Sequence, residues 1–264
     1  MNQEQVKLSV TKANCALELN RRIVGMKFLF TEEEFQQADA KAIKVPIHYC
    51  AMVKSATAGH GIKAAAENFG CPGGARALGI VEPEETFASG RHYFGLGLYQ
   101  DLITAKNARN NMTLCQHKAY GVMVKPLEEF NEEPDIVIMI ANSYTAMRIV
   151  QGYTYMYGIH TDYKLSGNQA LCSECTAYPF ESNNVNISML CGGTRNMAGW
   201  EVDEIGIGIP FNRFISVIDG VYKTVNAMEP NRNKTKIEEK LKQNGLNDLE
   251  IEYDKNYFTR RPVK

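Results

Sequence analysis

A cysteine followed by two glycines and an arginine is written twice in this chain of 264 residues, as Cys71-Pro-Gly-Gly-Ala-Arg76 and as Cys191-Gly-Gly-Thr-Arg195. The surroundings repeat as well. Tyr49-Cys50 precedes the first copy and Leu171-Cys172 the second; further back, the apolar run 23–30 leads into a helical pattern, as the run 136–141 does. Self-similarity in a fixed order is the mark of a repeated structural unit. Each half reads as strand, helix, cysteine-bearing segment and glycine turn. The expected fold is therefore α/β (or α+β), with two pseudo-symmetric strand–helix halves forming one compact unit. The halves span about 20–115 and 120–228, helices flank them at both ends, and 229–264 is a helical tail.

A pseudo-twofold axis gathers equivalent residues around itself, so two cysteines per half become four around one point: Cys50, Cys71, Cys172 and Cys191. Four thiolates suit a [4Fe–4S] cluster or a structural zinc ion. Glycines beside them let bare backbone approach a bulky group and turn N–H donors toward sulfur. The competing reading is metal-free, because free cysteine packs well in cores. Cys172-Ser-Glu-Cys175 is the only C-x-x-C. It lacks the second pair of a zinc ribbon, and Cys175 has no counterpart in the first half, so it reads as a spare thiol. Cys15 and Cys115 lie on helix-like stretches and are expected in the core. His48, Arg76 and Arg195 are the candidates for proton transfer or for holding an anion near the four cysteines.

Local signals fill in the elements. Spaced apolar positions predict an amphipathic helix over 3–19. Thr31-Glu-Glu-Glu34 is a capping box opening a helix through Ala38. Helical patterns follow at 48–57, 75–80, 98–109, 212–228 and 234–244, with 81–95 as loop. Asn142-Ser143 caps a long helix through Tyr157, which Gly158 stops. Strands are expected at 120–124, 136–141 and 204–210, and the tail beyond Tyr257, with Arg260-Arg261, as loose. Gly95-Leu-Gly97 and Gly206-Ile-Gly208 lack the third glycine of a dinucleotide fingerprint.

Charge removes other classes of function. With 29 basic and 30 acidic residues, nothing recommends a nucleic-acid or membrane-surface partner. The apolar runs are too short to span a bilayer, and the first residues contain no apolar signal region, so the expectation is a soluble cytoplasmic protein. Seven cysteines in such a setting are poorly explained by disulfides.

Over about 15–228 the chain resembles a known family, the uncharacterised "domain of unknown function 169" proteins of anaerobic bacteria and archaea. The resemblance is carried by Tyr49-Cys50, Cys71-Pro-Gly-Gly74 with Leu78-Gly79, Pro126-Leu127, Glu133-Pro134-Asp135 and Ala170-Leu-Cys172-Ser173. It implies an oxygen-poor setting, which favours iron–sulfur chemistry, and it implies Cys191 as the least regular of the four ligands. Three cysteines and an open iron would suit a catalytic cluster. The expected function is an oxygen-sensitive enzyme, an iron–sulfur oxidoreductase or lyase, that uses the cluster to bind or reduce a small molecule. The alternatives are an electron-transfer or cluster-carrier protein with full cysteine ligation, and a metal-free small-molecule binder. Expected partners are that small molecule and a redox protein, with homo-oligomer formation compatible.

Overall fold

The structure, a computed structural model, describes residues 2–254; the expectation for Arg260-Arg261 lies outside the described residues. Seven strands form one sheet: β1 (Val24–Leu29), β2 (Lys41–Ala42), β3 (Ile62–Ala65), β4 (Gly121–Pro126), β5 (Ile136–Ala141), β6 (Asn186–Ser188) and β7 (Ile205–Pro210). Their order is β2-β3-β4-β1-β5-β7-β6. The centre is the antiparallel pair β1–β5, and outward from it β4 and β3 on one side stand where β7 and β6 stand on the other.

The correspondence reaches single residues. Val24, opening β1, pairs with Pro126, which closes β4; Ile136, opening β5, pairs with Pro210, which closes β7. Leu127 N–H then donates to the Ile23 carbonyl, and Phe211 N–H to the Asp135 carbonyl. A proline suits each place because the strand ends there and needs no further ladder donor. On this topology the first half closes with β4, so the division falls between β4 and β5 rather than at 115–120.

Successive residues of β5 are buried on opposite faces, which explains its unbroken apolar run. Val137, Met139 and Ala141 join Ile207 and Ile209 beneath the helices Gln3–Ala16, Ser143–Tyr157, Phe211–Lys223 and Asn231–Gln243. Ile136, Ile138 and Ile140 join Val24, Met26, Val122 and Val124 on the other face, under Tyr49, Met52, Val53, Leu171 and Cys175. A smaller cluster around Phe35 and Phe130 closes the first face beside β1. No helix of the described residues is long and apolar enough to cross a membrane.

Several expected elements appear with their caps. Thr31 and Glu34 form both bonds of the capping box, and Asn142 caps Ser143–Tyr157 ahead of Gly158, which sits at φ 79°. Others differ. The helix expected at 75–80 begins at Pro72, since proline is pre-set for the first turn and has no N–H to leave unpaired. The segment 81–95 contains two short helices, Glu85–Ala88 and Arg91–Gly95. Cys15 is in the core as expected, whereas Cys115 lies beyond the end of the helix Leu102–Asn111 and is only partly buried.

Candidate functional site

Each of the four repeated cysteines sits in the first turn of a helix, and all four helices lie on the same side of the sheet. Cys71 is the N-cap of Pro72–Ala77, its sulfur accepting from Gly74 N–H at 3.4 Å. Cys191 is the N-cap of Gly192–Ala198, its sulfur accepting from Thr194 N–H at 3.3 Å with the Thr194 hydroxyl 3.1 Å away. The two glycine turns thus share one local design, a sulfur taking a donor that the helix leaves unused. Cys50 is the second residue of Tyr49–Thr57. Cys172 is the third of Ala170–Ala177, a π-helix opened by Gln169 at φ 54°. A non-glycine residue in this region is strained, and Leu190, directly before Cys191, is the same at φ 58°.

All four cysteines line one cavity of about 490 Å³. Burial pushes the Cys50 thiol up to about 11, reinforced by Cys191 and Cys71 and opposed by a Thr194 hydrogen bond. Burial, then Cys71, Cys191 and Cys50, pushes Cys172 well above the ordinary thiol range. These directions are opposite to those of a nucleophilic cysteine. They describe thiols that stay neutral until something replaces their protons, as a metal does.

The bare turns leave room beside the sulfurs. A Cβ on Gly74 would stand 3.8 Å from the Cys71 sulfur, and a Cβ on Gly193 would stand 3.8 Å from the Cys191 sulfur. Four thiols, open backbone and first-turn N–H groups are a donor set able to hold a bulky thiolate-ligated group. Among the described residues, no three His, Cys, Asp or Glu side chains are gathered, as they stand, around a single-ion site.

The remaining wall is polar at chosen points. Gln169 lies between Cys172, whose thiol points to its Oε1 at 3.9 Å, and Tyr93, whose hydroxyl accepts from its Nε2. Tyr93 is held protonated by burial and by the neighbouring Cys172. His48, His92, Asn168 and Asn196 also face this space. A Cβ on Gly73 would come 2.6 Å from Gln169 Nε2, so a side chain there would push the amide aside.

Of the three expected side chains, His48 lines the cavity; Arg76 and Arg195 do not. Arg76 pairs with Glu84, and Arg195 donates to the carbonyls of Met189, Glu201 and Glu204. Arg76 gives one edge to Glu84 and Arg195 is tied to backbone carbonyls, so neither lines the cavity of the four cysteines, which a repeated motif cannot reveal. Cys175 is fully buried against β7: its sulfur would be 3.0 Å from a Cβ on Gly206, and its carbonyl would collide with one on Gly208. Gly206-Ile-Gly208 thus serves to seat the π-helix on the sheet. Tyr93, His92 and Gln169 were missed by the sequence reading; only the glycines beside them mark the region.

Two comparisons bear on identity. The uncharacterized protein MJ0308 of Methanocaldococcus jannaschii is 24% identical over 223 residues, covering 84% of this chain and 95% of that protein. No solved structure matches the chain. The profile of the uncharacterised ArCR family, the domain of unknown function 169, matches residues 12–220. A match over that length, taking in all four cysteines and every strand of the sheet, makes this chain a member of the domain of unknown function 169 family.

Proposed function

We propose that Cys50, Cys71, Cys172 and Cys191 hold a [4Fe–4S] cluster, and that the protein is an oxygen-sensitive enzyme that binds or reduces a small molecule beside it. One observation supports this above the rest: two topologically equivalent pairs of cysteines, each in a helix first turn, share a single cavity. When bound, such a cluster supplies one-electron transfer or, through an iron without a cysteine ligand, a Lewis acid.

The chain's own groups do the rest. The helix N-terminal N–H donors at Cys71 and Cys191 favour negative charge on sulfur. Tyr93 accepts from Gln169 and so keeps its own proton to donate into the cavity. His48 and His92 are placed on the same wall. At about 490 Å³ the cavity falls within the range of about 300–1,000 Å³ typical of small-molecule sites. That favours the enzyme over a carrier, whose cluster needs no room for a second occupant.

The test is iron and sulfide content, with the visible spectrum, of protein purified without oxygen. Iron–sulfur absorption is expected in the parent and in Cys175→Ala and Cys15→Ala, and its loss in Cys71→Ala and Cys172→Ala. Protein that takes up no iron would sink the reading. Electron paramagnetic resonance of the reduced protein separates the alternatives. A signal perturbed by small acids or thiols supports the enzyme; a signal that none of them perturbs supports the electron carrier.

A further inference from the structure

A second cavity, of about 270 Å³, adjoins the end of the helix Pro72–Ala77 and is lined by Arg76, Glu82, Arg109, Cys115, His117 and Lys118. Its two arginines are held in an unusual way. Both guanidiniums stack on Phe87, Arg76 at 5.1 Å and Arg109 at 5.0 Å from the ring centroid, and Phe87 is completely buried. The ring fixes both planes at little entropic cost.

Each guanidinium has a buried N–H group with no partner: Nη1 of Arg76 and Nε of Arg109. Glu84 accounts for the other edge of Arg76. For Arg109, no ion pair exists among the described residues. A buried, unpaired cationic donor is costly, and native proteins leave few of them without a purpose. Burial without a counter-ion also pulls the Arg109 pKa down.

We propose that this pocket is a phosphate-binding site, its oxyanion received by the guanidiniums of Arg76 and Arg109, with the exposed Lys118 on the same lining. Guanidinium forks match the spacing of oxyanion oxygens, and two of them with an ammonium suit a dianion better than a single carboxylate. The volume lies near the lower limit of about 300 Å³ for small-molecule pockets. It admits inorganic phosphate or the phosphate group of a small ester. The proposal is independent of whether the cysteines hold iron.

Isothermal titration of the full chain with inorganic phosphate, and separately with glycerol 3-phosphate, tests it. Saturable binding of either probe is expected, weakening as salt rises. Binding of phosphate itself assigns the free ion; binding of the ester alone assigns a phosphorylated metabolite. Arg109→Met, which keeps an apolar cover on Phe87, should weaken binding at least tenfold, and Arg109→Lys should recover part of the loss. Should Arg109→Met fail to fold, Lys118→Met, at an exposed position, carries the test with a smaller loss. No saturable binding of either probe, or Arg109→Met binding as tightly as the parent, overturns the proposal.

Discussion

The second glycine of each turn stands beside a cysteine sulfur, so a methyl group there tests the proposed cofactor site apart from the fold. Gly193 lies in the first turn of a helix and outside the left-handed region, so alanine fits its backbone. By helix propensity Gly193→Ala should leave the metal-free protein as stable or up to about 1 kcal/mol more stable. Its methyl would stand 3.8 Å from the Cys191 sulfur, so iron incorporation should fall. A melting curve and an iron assay on the same sample check both signs, and a variant that loads iron normally refutes the steric reading. The thiols also give a pH dependence. Cys50 has its folded pKa raised from 9.0 to about 11, so the folded state favours the protonated thiol. That contribution is fully present below pH 9.0 and is lost as pH rises through about 11. The loss for this thiol is on the order of 2–3 kcal/mol. Urea melts of metal-free protein across this window should show the decline, and Cys50→Ala should reduce it.

Between elements, a buried polar network joins the helix Ser143–Tyr157 to the C-terminal helices. Arg148 is 1% exposed and donates to Glu229 at 2.7 Å, to Gln151 and Thr224, and to the Val221 carbonyl. Glu229 accepts in addition from Tyr144 and Asn233. Arg148→Met would leave that carboxylate buried beside an apolar chain, at a cost of about 3–5 kcal/mol in urea unfolding. A loss below about 1 kcal/mol, the scale of an exposed pair, would contradict this account. The same helix was readable in the sequence because its caps are local: Asn142 at the start, Gly158 at the end. β3 was not, because Ile-Lys-Ala-Ala does not alternate and has one β-branched residue, Ile62, in four. Lys63 is buried there only because its ammonium meets the carbonyls of Phe35, Gln36 and Ala38, far away in sequence. The π-helix was hidden for the same kind of reason: Ala170–Ala177 is buried nearly all round and shows no periodicity to read. The cysteines were legible because their spacing recurs. The polar wall of Tyr93 and Gln169 was not, because it has no repeat to betray it.

For the whole molecule, each half supplies two of the four cysteines and one of the two central strands. Residues 1–131 and 132–264 made separately should therefore bind no iron and unfold without cooperativity; mixed or co-expressed, they should recover iron binding. Either piece loading a full cluster alone would contradict the shared site. The halves are nevertheless unequal. Between its cysteine-capped helix and its last strand the second half spends only 199–204, whereas the first spends 78–120, with three helices that carry His92, Tyr93 and Arg109. A homodimer of either half would be isologous, with two identical mouths to its four-sulfur centre. Joining the two in one chain lets one mouth differ from the other. Of the two segments only the long one adds to the lining of the cavity, through His92, Tyr93, Leu96 and Leu98, so the wall that a visitor to the four cysteines meets is unlike in its two halves although the sulfurs are paired.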